Sequence, residues 1–194
     1  YILRRKGIKL PQKINTIIYG DIPNKDISRS ASLTLNLILS LLKVNEIKSI
    51  NPFKIVDLAQ AVENNYISSP CGRLDQIMIL FARQGVNTHY HPQNGSINYV
   101  PLGKKTDDFH IIILDTGTKR PGLKKSTYKI RRAECEKLVG LAQQAGFKIS
   151  CLADIKNQAL FEKILARFRD NYPDLCRRMM YIFHAQQRFY QGYS

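Results

Sequence analysis

The sequence predicts an α+β fold in which a small mixed or antiparallel sheet packs against a layer of helices. Strand-like runs are concentrated before residue 116, while the pattern from Tyr128 onward is helical, and this order favours α+β over an alternating α/β arrangement. The composition is 44% hydrophobic and 23% charged, which is typical of a folded globular protein. At 194 residues the chain is long enough to bury a substantial core without disulfide bonds.

The strand predictions depend on β-branched residues beside turn formers. Ile14–Tyr19 clusters such residues immediately before Gly20. Asn94-Gly95 is typical of the tight turn of a β-hairpin, and the later run from His110 is apolar enough for a buried strand. The predicted strands are Ile14–Tyr19, Thr88–His91, Ile97–Leu102 and His110–Asp115.

The helix predictions depend on apolar residues at helical spacing and on end signals. The first helix is apolar on most sides, so we expect it to be buried. Asn51 followed by Pro52 is a helix-start signature, and this second helix should end near Asn65. The other predicted helices are Leu74–Arg83, Arg131–Ala145, Gln158–Arg169 and Leu175–Phe189, and the first one is Ser28–Val44.

The charge balance predicts an anionic partner. The chain has 30 Lys and Arg residues and 15 Asp and Glu residues, a formal charge of +15, so nucleic acid, nucleotides, phosphorylated substrates and membrane surfaces are candidates. No apolar run approaches the roughly 20 residues of a membrane span, and the N-terminus lacks a signal-peptide core. The four cysteines are isolated in sequence, which is typical of reduced thiols. We therefore expect a cytoplasmic protein without a membrane partner.

The most informative motif is the turn Pro70-Cys71-Gly72 before a predicted helix. Glycine lets the main chain approach a ligand closely, and Asp75 stands in the first turn of that helix. An exposed carboxylate at this place could bind a sugar hydroxyl or accept its proton. Without further context such an Asp is usually a helix-capping residue.

The string Pro70-Cys71-Gly72-x-x-Asp75-Gln76, with Glu63 seven residues before the proline, resembles the middle motif of galactokinases within the GHMP small-molecule kinases. Other segments are similar to that family in the same order along the chain. They are Gly20–Pro23, Ser28–Leu33, Leu114–Arg120, Ser126–Tyr128, Arg131–Glu136, Leu152–Ile155 and Arg177-Arg178. The resemblance implies a GHMP-kinase-like fold and transfer of the γ-phosphoryl group of ATP to the anomeric hydroxyl of a hexose such as galactose, assisted by Mg²⁺.

The resemblance also implies roles for individual residues. Asp75 would contact and deprotonate the sugar hydroxyl, and Glu63 with Ser30 would hold the metal. One carboxylate at the nucleophile and one at the metal suit phosphoryl transfer, which needs positioning and charge neutralisation. The implied substrate-binding residues are Gly72, Cys71 and Tyr128, and the implied nucleotide-binding residues are Pro23, Ser28, Ser30, Ala31 and Ser32.

The sequence departs from the family at the phosphate loop. Galactokinases carry glycines there, whereas this chain has Asn24-Lys25-Asp26-Ile27, and Asp26 brings negative charge where phosphate should bind. Lys25 and Arg29 could compensate by charge. A second hypothesis is therefore a non-catalytic sugar- or nucleotide-binding relative with a degraded phosphate loop.

Two family motifs are also missing from the sequence, the N-terminal sugar-binding cluster and the C-terminal Gly-rich motif. We expect the chain to correspond to the middle of such a kinase. On this interpretation residues up to about 110 end the N-terminal nucleotide-binding domain, and residues from about 111 begin the C-terminal domain.

Three other patterns suggest different chemistry. The basic run Lys119–Lys125 could bind the phosphates of nucleic acid, so a basic nucleic-acid-binding module is a further alternative. Asp115-Thr116-Gly117 mimics an aspartic-protease motif, but one copy is present where two carboxylates are needed. His89 and His91 could share a strand face and hold a metal, although no carboxylate is near them in sequence.

Overall fold

The computed structural model describes residues 1–20, 28–92, 94–101, 112, 114 and 127–193. The chain divides into two compact units, Tyr1–Thr118 and Lys119–Ser194, and each is described by itself. Pro23, the Asp115 motif and the basic run fall outside the described residues, as does most of the predicted strand at 110–115. The assignment of galactokinase domains to the two parts of the chain stays a prediction.

Unit 1 consists of helices followed by a hairpin. Its helices are α1 (Ile2–Arg5), α2 (Arg29–Val44), α3 (Pro52–Ala61) and α4 (Leu74–Phe81), and α3 continues directly into a π-helical turn, Val62–Tyr66. The hairpin pairs β1 (Val86–Tyr90) with β2 (Ile97–Pro101) in antiparallel register. The structure confirms, to within two residues, the predicted helix Ser28–Val44, the helix that begins after Asn51, and the hairpin. Helix α1 was not predicted from the sequence.

The core of unit 1 lies between α1, α2 and α3. The Asn51 side chain accepts a hydrogen bond from the Phe53 amide at 2.8 Å, and Pro52 occupies the first turn of α3, so this helix starts where its capping signature predicts. The apolar stripe of α2 is buried as expected. The buried core residues are Leu3, Leu35, Ile38, Leu42, Ile55, Leu58 and Ala59.

The hairpin is attached to the end of α4. The Tyr99 hydroxyl donates to the Phe81 carbonyl at 2.9 Å, and the Arg83 guanidinium lies 4.1 Å from the centre of the Tyr99 ring. Gly95 has a φ of 71° in the turn, a conformation that glycine adopts without strain. Helix α4 ends at Phe81, two residues earlier than predicted, because the chain turns at Ala82 to enter the hairpin.

The predicted strand Ile14–Tyr19 is wrong. These residues form no regular secondary structure, and Ile17 and Tyr19 are 95% and 91% exposed. In the described part of the chain β1 and β2 pair only with each other. A β-branched run forms a strand only when a partner supplies the ladder of hydrogen bonds.

Unit 2 is helical. It contains α5 (Thr127–Gln144), a 3-10 turn at Leu152–Asp154, α6 (Gln158–Phe168) and α7 (Pro173–Tyr193). Phe161 and Phe183 stack at 4.4 Å between ring centres, and Ile164 beside them in the core is fully buried. The Arg178 guanidinium donates to Glu134 at 2.8 Å and joins α7 to α5. The three helix predictions in this unit are confirmed, with α5 and α7 longer than expected.

No helix in the described ranges is both long and apolar enough to cross a membrane.

Candidate functional site

The two residues implied as metal ligands lie next to each other in unit 1. Ser30 is in the first turn of α2 and Glu63 is in the π-helical turn, and the Ser30 hydroxyl donates to Glu63 Oε1 at 3.2 Å. Glu63 is only 7% exposed. Carboxylate and hydroxyl oxygens are ligands of the kind that Mg²⁺ accepts. The fold therefore brings together two suitable oxygens from positions 33 residues apart.

The π-helical turn determines how Glu63 is presented. The Ile67 amide donates to the Val62 carbonyl at 3.0 Å, a bond that spans five residues rather than four, and the Ser69 amide donates to the Glu63 carbonyl at 2.9 Å. Such turns are rare and are frequently found at functional sites. The extra residue in the turn sets the direction of the segment that leads to the Pro70-Cys71-Gly72 turn.

Cys71 is protonated at neutral pH. Burial, a hydrogen bond to Glu63 and the negative charge of Glu63 together raise the pKa of the Cys71 thiol to about 11, with burial the largest cause. The reactive form of a cysteine is the thiolate, so this thiol is a poor nucleophile at pH 7. Its place beside Glu63 makes Cys71 part of the same polar cluster as Ser30.

The main chain of Cys71 is held by side chains from α3 and the π-helical turn. The Cys71 amide donates to Asn64 Oδ1 at 2.7 Å, while Asn64 Nδ2 and Gln60 Nε2 donate to the Cys71 carbonyl at 3.4 and 3.1 Å. Gln60 and Asn64 are four residues apart and share one helix face. Sequence reasoning missed both residues, because their spacing identifies a shared helix face but not the turn that this face contacts.

Asp75 and Gly72 face open space. Asp75 lies in the first turn of α4, is exposed, and makes no hydrogen bond or ion pair with other described residues. A methyl group added at Gly72 would meet no atom within 4 Å. A ligand can therefore approach this turn, and Asp75 has a free carboxylate to offer it.

Gln76 binds the same turn from its buried side. Its side chain is 1% exposed, and with the amide nitrogen toward the main chain it donates to the carbonyls of Gly72 and Arg73 at 3.2 and 3.3 Å. The adjacent residues Gln76 and Asp75 thus point in different directions, one into the protein and one into solvent. The turn is fixed from within while its outer side stays accessible.

The N-terminus of α2 carries the implied nucleotide residues that the structure describes. Ser28 has a φ of 48°, in the left-handed region, and its side chain does not cap the helix. Ala31 is 2% exposed and packs into the core, and Ser32 is half-buried. The N-terminus of a helix is a favourable place for phosphate, and Ser30 lies in the first turn of α2.

Tyr128 lies in unit 2, in the first turn of α5, and is 52% exposed. Its implied part in sugar binding stays a prediction. Further along α5, Glu134 accepts hydrogen bonds from Arg178 of α7 and from Arg131 of its own helix, and these bonds lower the pKa of that carboxyl.

The histidine pair His89 and His91 gains no third metal-binding side chain among the described residues, and its suggested metal site stays a prediction. The rings of His89 and His91 are 6.5 Å apart. Among the described residues there is no group of three or more His, Cys, Asp and Glu side chains that could hold a metal ion.

Unit 2 also has an open groove of about 470 Å³ between α5 and the 3-10 turn, with Cys135, Cys151 and Ile182 among its lining residues. None of the residues implied as site residues lines this groove.

Comparisons with known proteins identify the family to which this chain is related. The chain is 34% identical over 145 residues to a galactokinase of Exiguobacterium sibiricum, covering 74% of the chain and 36% of that relative. It is 30% identical over 190 residues to a galactokinase of Staphylococcus saprophyticus, covering 96% of the chain and 46% of the relative. The chain is a relative of the galactokinases. No family model matches it.

The fold of this galactokinase relative agrees with its sequence. A crystal structure of Lactococcus lactis galactokinase complexed with galactose matches 98% of the chain and 49% of that protein, with a TM-score of 0.68 and 26% identity. The α+β fold of the GHMP kinases and the resemblance implied by the Pro-Cys-Gly motif are thereby confirmed. The chain spans less than half the length of the curated relatives named above.

Proposed function

We propose that this galactokinase relative takes part in ATP-dependent phosphorylation of a hexose such as galactose at its anomeric hydroxyl, in the cytoplasm. The observation that carries the proposal is the cluster of Ser30, Glu63 and Cys71 beside the exposed Asp75 turn. It combines a carboxylate and a hydroxyl suited to a cation with a second, solvent-facing carboxylate suited to a sugar hydroxyl.

Asp75 is the group that accepts the proton. The sugar hydroxyl oxygen bonds to the γ-phosphorus, the bond from that phosphorus to the bridging oxygen breaks, and ADP leaves with the electron pair. Asp75 takes the hydroxyl proton as the new bond forms. Its free, exposed carboxylate in the first turn of α4 supports this role, and the open side of Gly72 leaves room for the sugar ring.

Glu63 and Ser30 would hold Mg²⁺, and the N-terminus of α2 would receive phosphate. The bound cation neutralises phosphate charge during the transfer. Glu63 offers a carboxylate oxygen, Ser30 a hydroxyl, and Ser28 opens a helix whose first amides are not capped by its side chain. Pro23, Ala31 and Ser32 complete the proposed nucleotide-binding segment.

The test is consumption of ATP by the full-length protein in the presence of galactose. General-base catalysis contributes about 10²- to 10⁴-fold, so Asp75→Asn should lower turnover by at least about 100-fold. Asp170→Asn, a change of the same chemistry on an exposed residue of unit 2, is the matched control and should leave turnover unchanged.

Three outcomes separate the hypotheses. Turnover that survives Asp75→Asn would contradict the assignment of Asp75. Galactose binding in calorimetry without ATP consumption by the wild-type protein would favour the non-catalytic relative with a degraded phosphate loop. Salt-sensitive binding of a polyanion without either activity would favour the nucleic-acid-binding module.

A further inference from the structure

One face of α3 and the π-helical turn carries a row of polar side chains directed at the Cys71 turn. Asp57, Gln60 and Asn64 follow one another at spacings of three and four residues, so they lie on a single helix face. Gln60 and Asn64 are both half-buried. This row is not part of the motif that the sequence matched, and none of its residues has an assigned role above.

Each member of the row contacts the turn or Arg73, the residue that follows it. Asn64 both accepts from and donates to the main chain of Cys71, at 2.7 and 3.4 Å, and Gln60 donates to the Cys71 carbonyl at 3.1 Å. Gln60 Oε1 accepts from Arg73 Nε at 3.4 Å, and Asp57 forms an ion pair with Arg73. The row therefore holds the residues on both sides of Gly72.

The shortest of these hydrogen bonds is the one from the Cys71 amide to Asn64 Oδ1. It belongs to a main-chain group, so losing it changes the position of the turn rather than one side chain. Asp75 follows Cys71 by four residues, at the start of α4, and its direction depends on where the turn places that helix start. A displacement of about 1 Å at a reacting group can cost about 100-fold in rate.

We propose that Asn64 is a positioning residue that fixes the Cys71 turn and thereby presents Asp75 to the sugar. The claim that the turn presents Asp75 to the sugar rests on the proposed sugar-kinase function. The claim that Asn64 fixes the turn can be tested without measuring turnover. Asn64 touches no substrate in this proposal and acts entirely through the main chain of Cys71.

The first experiment measures alkylation of Cys71 by iodoacetamide, with mass spectrometry following each cysteine in the full-length protein. In the wild-type protein the thiol is half-buried, so it reacts slowly. Asn64→Ala removes the two hydrogen bonds that Asn64 makes with the main chain of Cys71, so it should raise the population of the opened turn and accelerate alkylation by about tenfold. Cys135 in unit 2 is the internal reference and should not change.

Matched variants separate positioning from loss of folding. Asn65→Ala alters the adjacent, exposed asparagine and should leave Cys71 as slow as in the wild-type protein. Asn64→Asp keeps an oxygen that accepts from the Cys71 amide and should accelerate alkylation less than Asn64→Ala. Equal rates for Asn64→Ala and Asn65→Ala would overturn the proposal.

The second experiment measures turnover in a double-mutant cycle with Asp75→Asn. If Asn64 acts by placing Asp75, Asn64→Ala lowers kcat by about tenfold or more in the wild-type background and adds almost nothing once Asp75 is lost. If the double variant instead loses kcat by the product of the two single losses, the two residues act independently and the positioning role is overturned. A wild-type protein without turnover would refute the proposed function, and the alkylation result alone would then decide whether Asn64 holds the turn.

Discussion

The Cys71 region of unit 1 and the core of unit 2 are held together in opposite ways. Around Cys71, side-chain amides and a carboxylate bind main-chain and side-chain polar groups of residues that are 7 to 33 positions away in the sequence. In unit 2 the helices meet through apolar side chains, with Phe161 and Phe183 stacked in the centre. The described polar contacts of unit 2 lie mostly at its surface.

The two kinds of contact have different effects, because apolar packing stabilises the fold whereas directional hydrogen bonds set the geometry of the site. Apolar burial is non-directional and supplies most of the free energy of folding, so a helical core tolerates small displacements. Hydrogen bonds contribute about 1 kcal/mol each but fix distances and angles. We therefore expect substitutions in unit 2 to act on the free energy of unfolding, and substitutions near Cys71 to act on local chemistry.

The largest effect should come from Phe161→Ala in the core of unit 2. Phe161 is 4% exposed and stacks on Phe183, so its truncation should lower the free energy of unfolding by about 3–5 kcal/mol. Native-state hydrogen exchange of the α5–α7 amides measures this loss. Phe189→Ala, at a ring that is 51% exposed, should cost less than about 0.5 kcal/mol. Equal costs for the two variants would remove the contrast between core and surface.

Glu63→Gln should change the chemistry of Cys71. The neutral amide removes the negative charge that helps to raise the pKa of the thiol, so this pKa should fall from about 11 toward 9.0. It should remain above 9.0 because burial, the largest cause, persists. The pH dependence of Cys71 alkylation gives the value directly. A pKa that stays at about 11 would show that Glu63 does not act on the thiol.

The smallest effect is expected at Asp154, a polar contact at the surface of unit 2. Its carboxylate accepts from the Ser150 amide and hydroxyl, both at 2.7 Å, and from the Cys151 amide at 3.1 Å, which lowers its pKa from 3.8 to about 2. A carboxyl with a lowered pKa in the folded protein stabilises the fold above its ordinary pKa, and this contribution is lost as the pH falls through the lower value.

Asp154→Asn should therefore lower the melting temperature of unit 2 at pH 6, and the difference from the wild-type protein should shrink between about pH 4 and pH 2. Asp170→Asn, at an exposed carboxyl elsewhere in the unit, is the control and should show no such convergence. A melting difference for Asp154→Asn that does not depend on pH would mean that the carboxylate charge is not the stabilising element.

Local signals in the sequence were sufficient for most helices. Asn51 and Pro52 mark the start of α3, and the apolar spacing of α2 identifies a buried helix, because both patterns report on neighbours within one turn. Ile14–Tyr19 has an equally local strand signal, yet it forms no strand. A strand depends on a partner elsewhere in the chain, and residue preferences carry no information about that partner.

The candidate site was predictable only in part. The Pro70-Cys71-Gly72 motif and its resemblance to galactokinases led to Glu63, Ser30 and Asp75, because family residues recur at matching places in the sequence. The contacts of Asn64 with Cys71 depend on tertiary structure, and the π-helical turn has no compositional signature. The polar cluster around Cys71 therefore became visible only in the fold.

The π-helical turn Val62–Tyr66 also makes the site more sensitive to the number of residues than to their identity. Since each residue of an α-helix turns the chain by about 100°, deleting one residue here would rotate the following segment relative to α3. The contacts of Gln60 and Asn64 with Cys71 would be disrupted together, whereas a single substitution removes those of one residue only. A one-residue deletion within Val62–Tyr66 should therefore disturb the Cys71 turn more than any single substitution in that stretch.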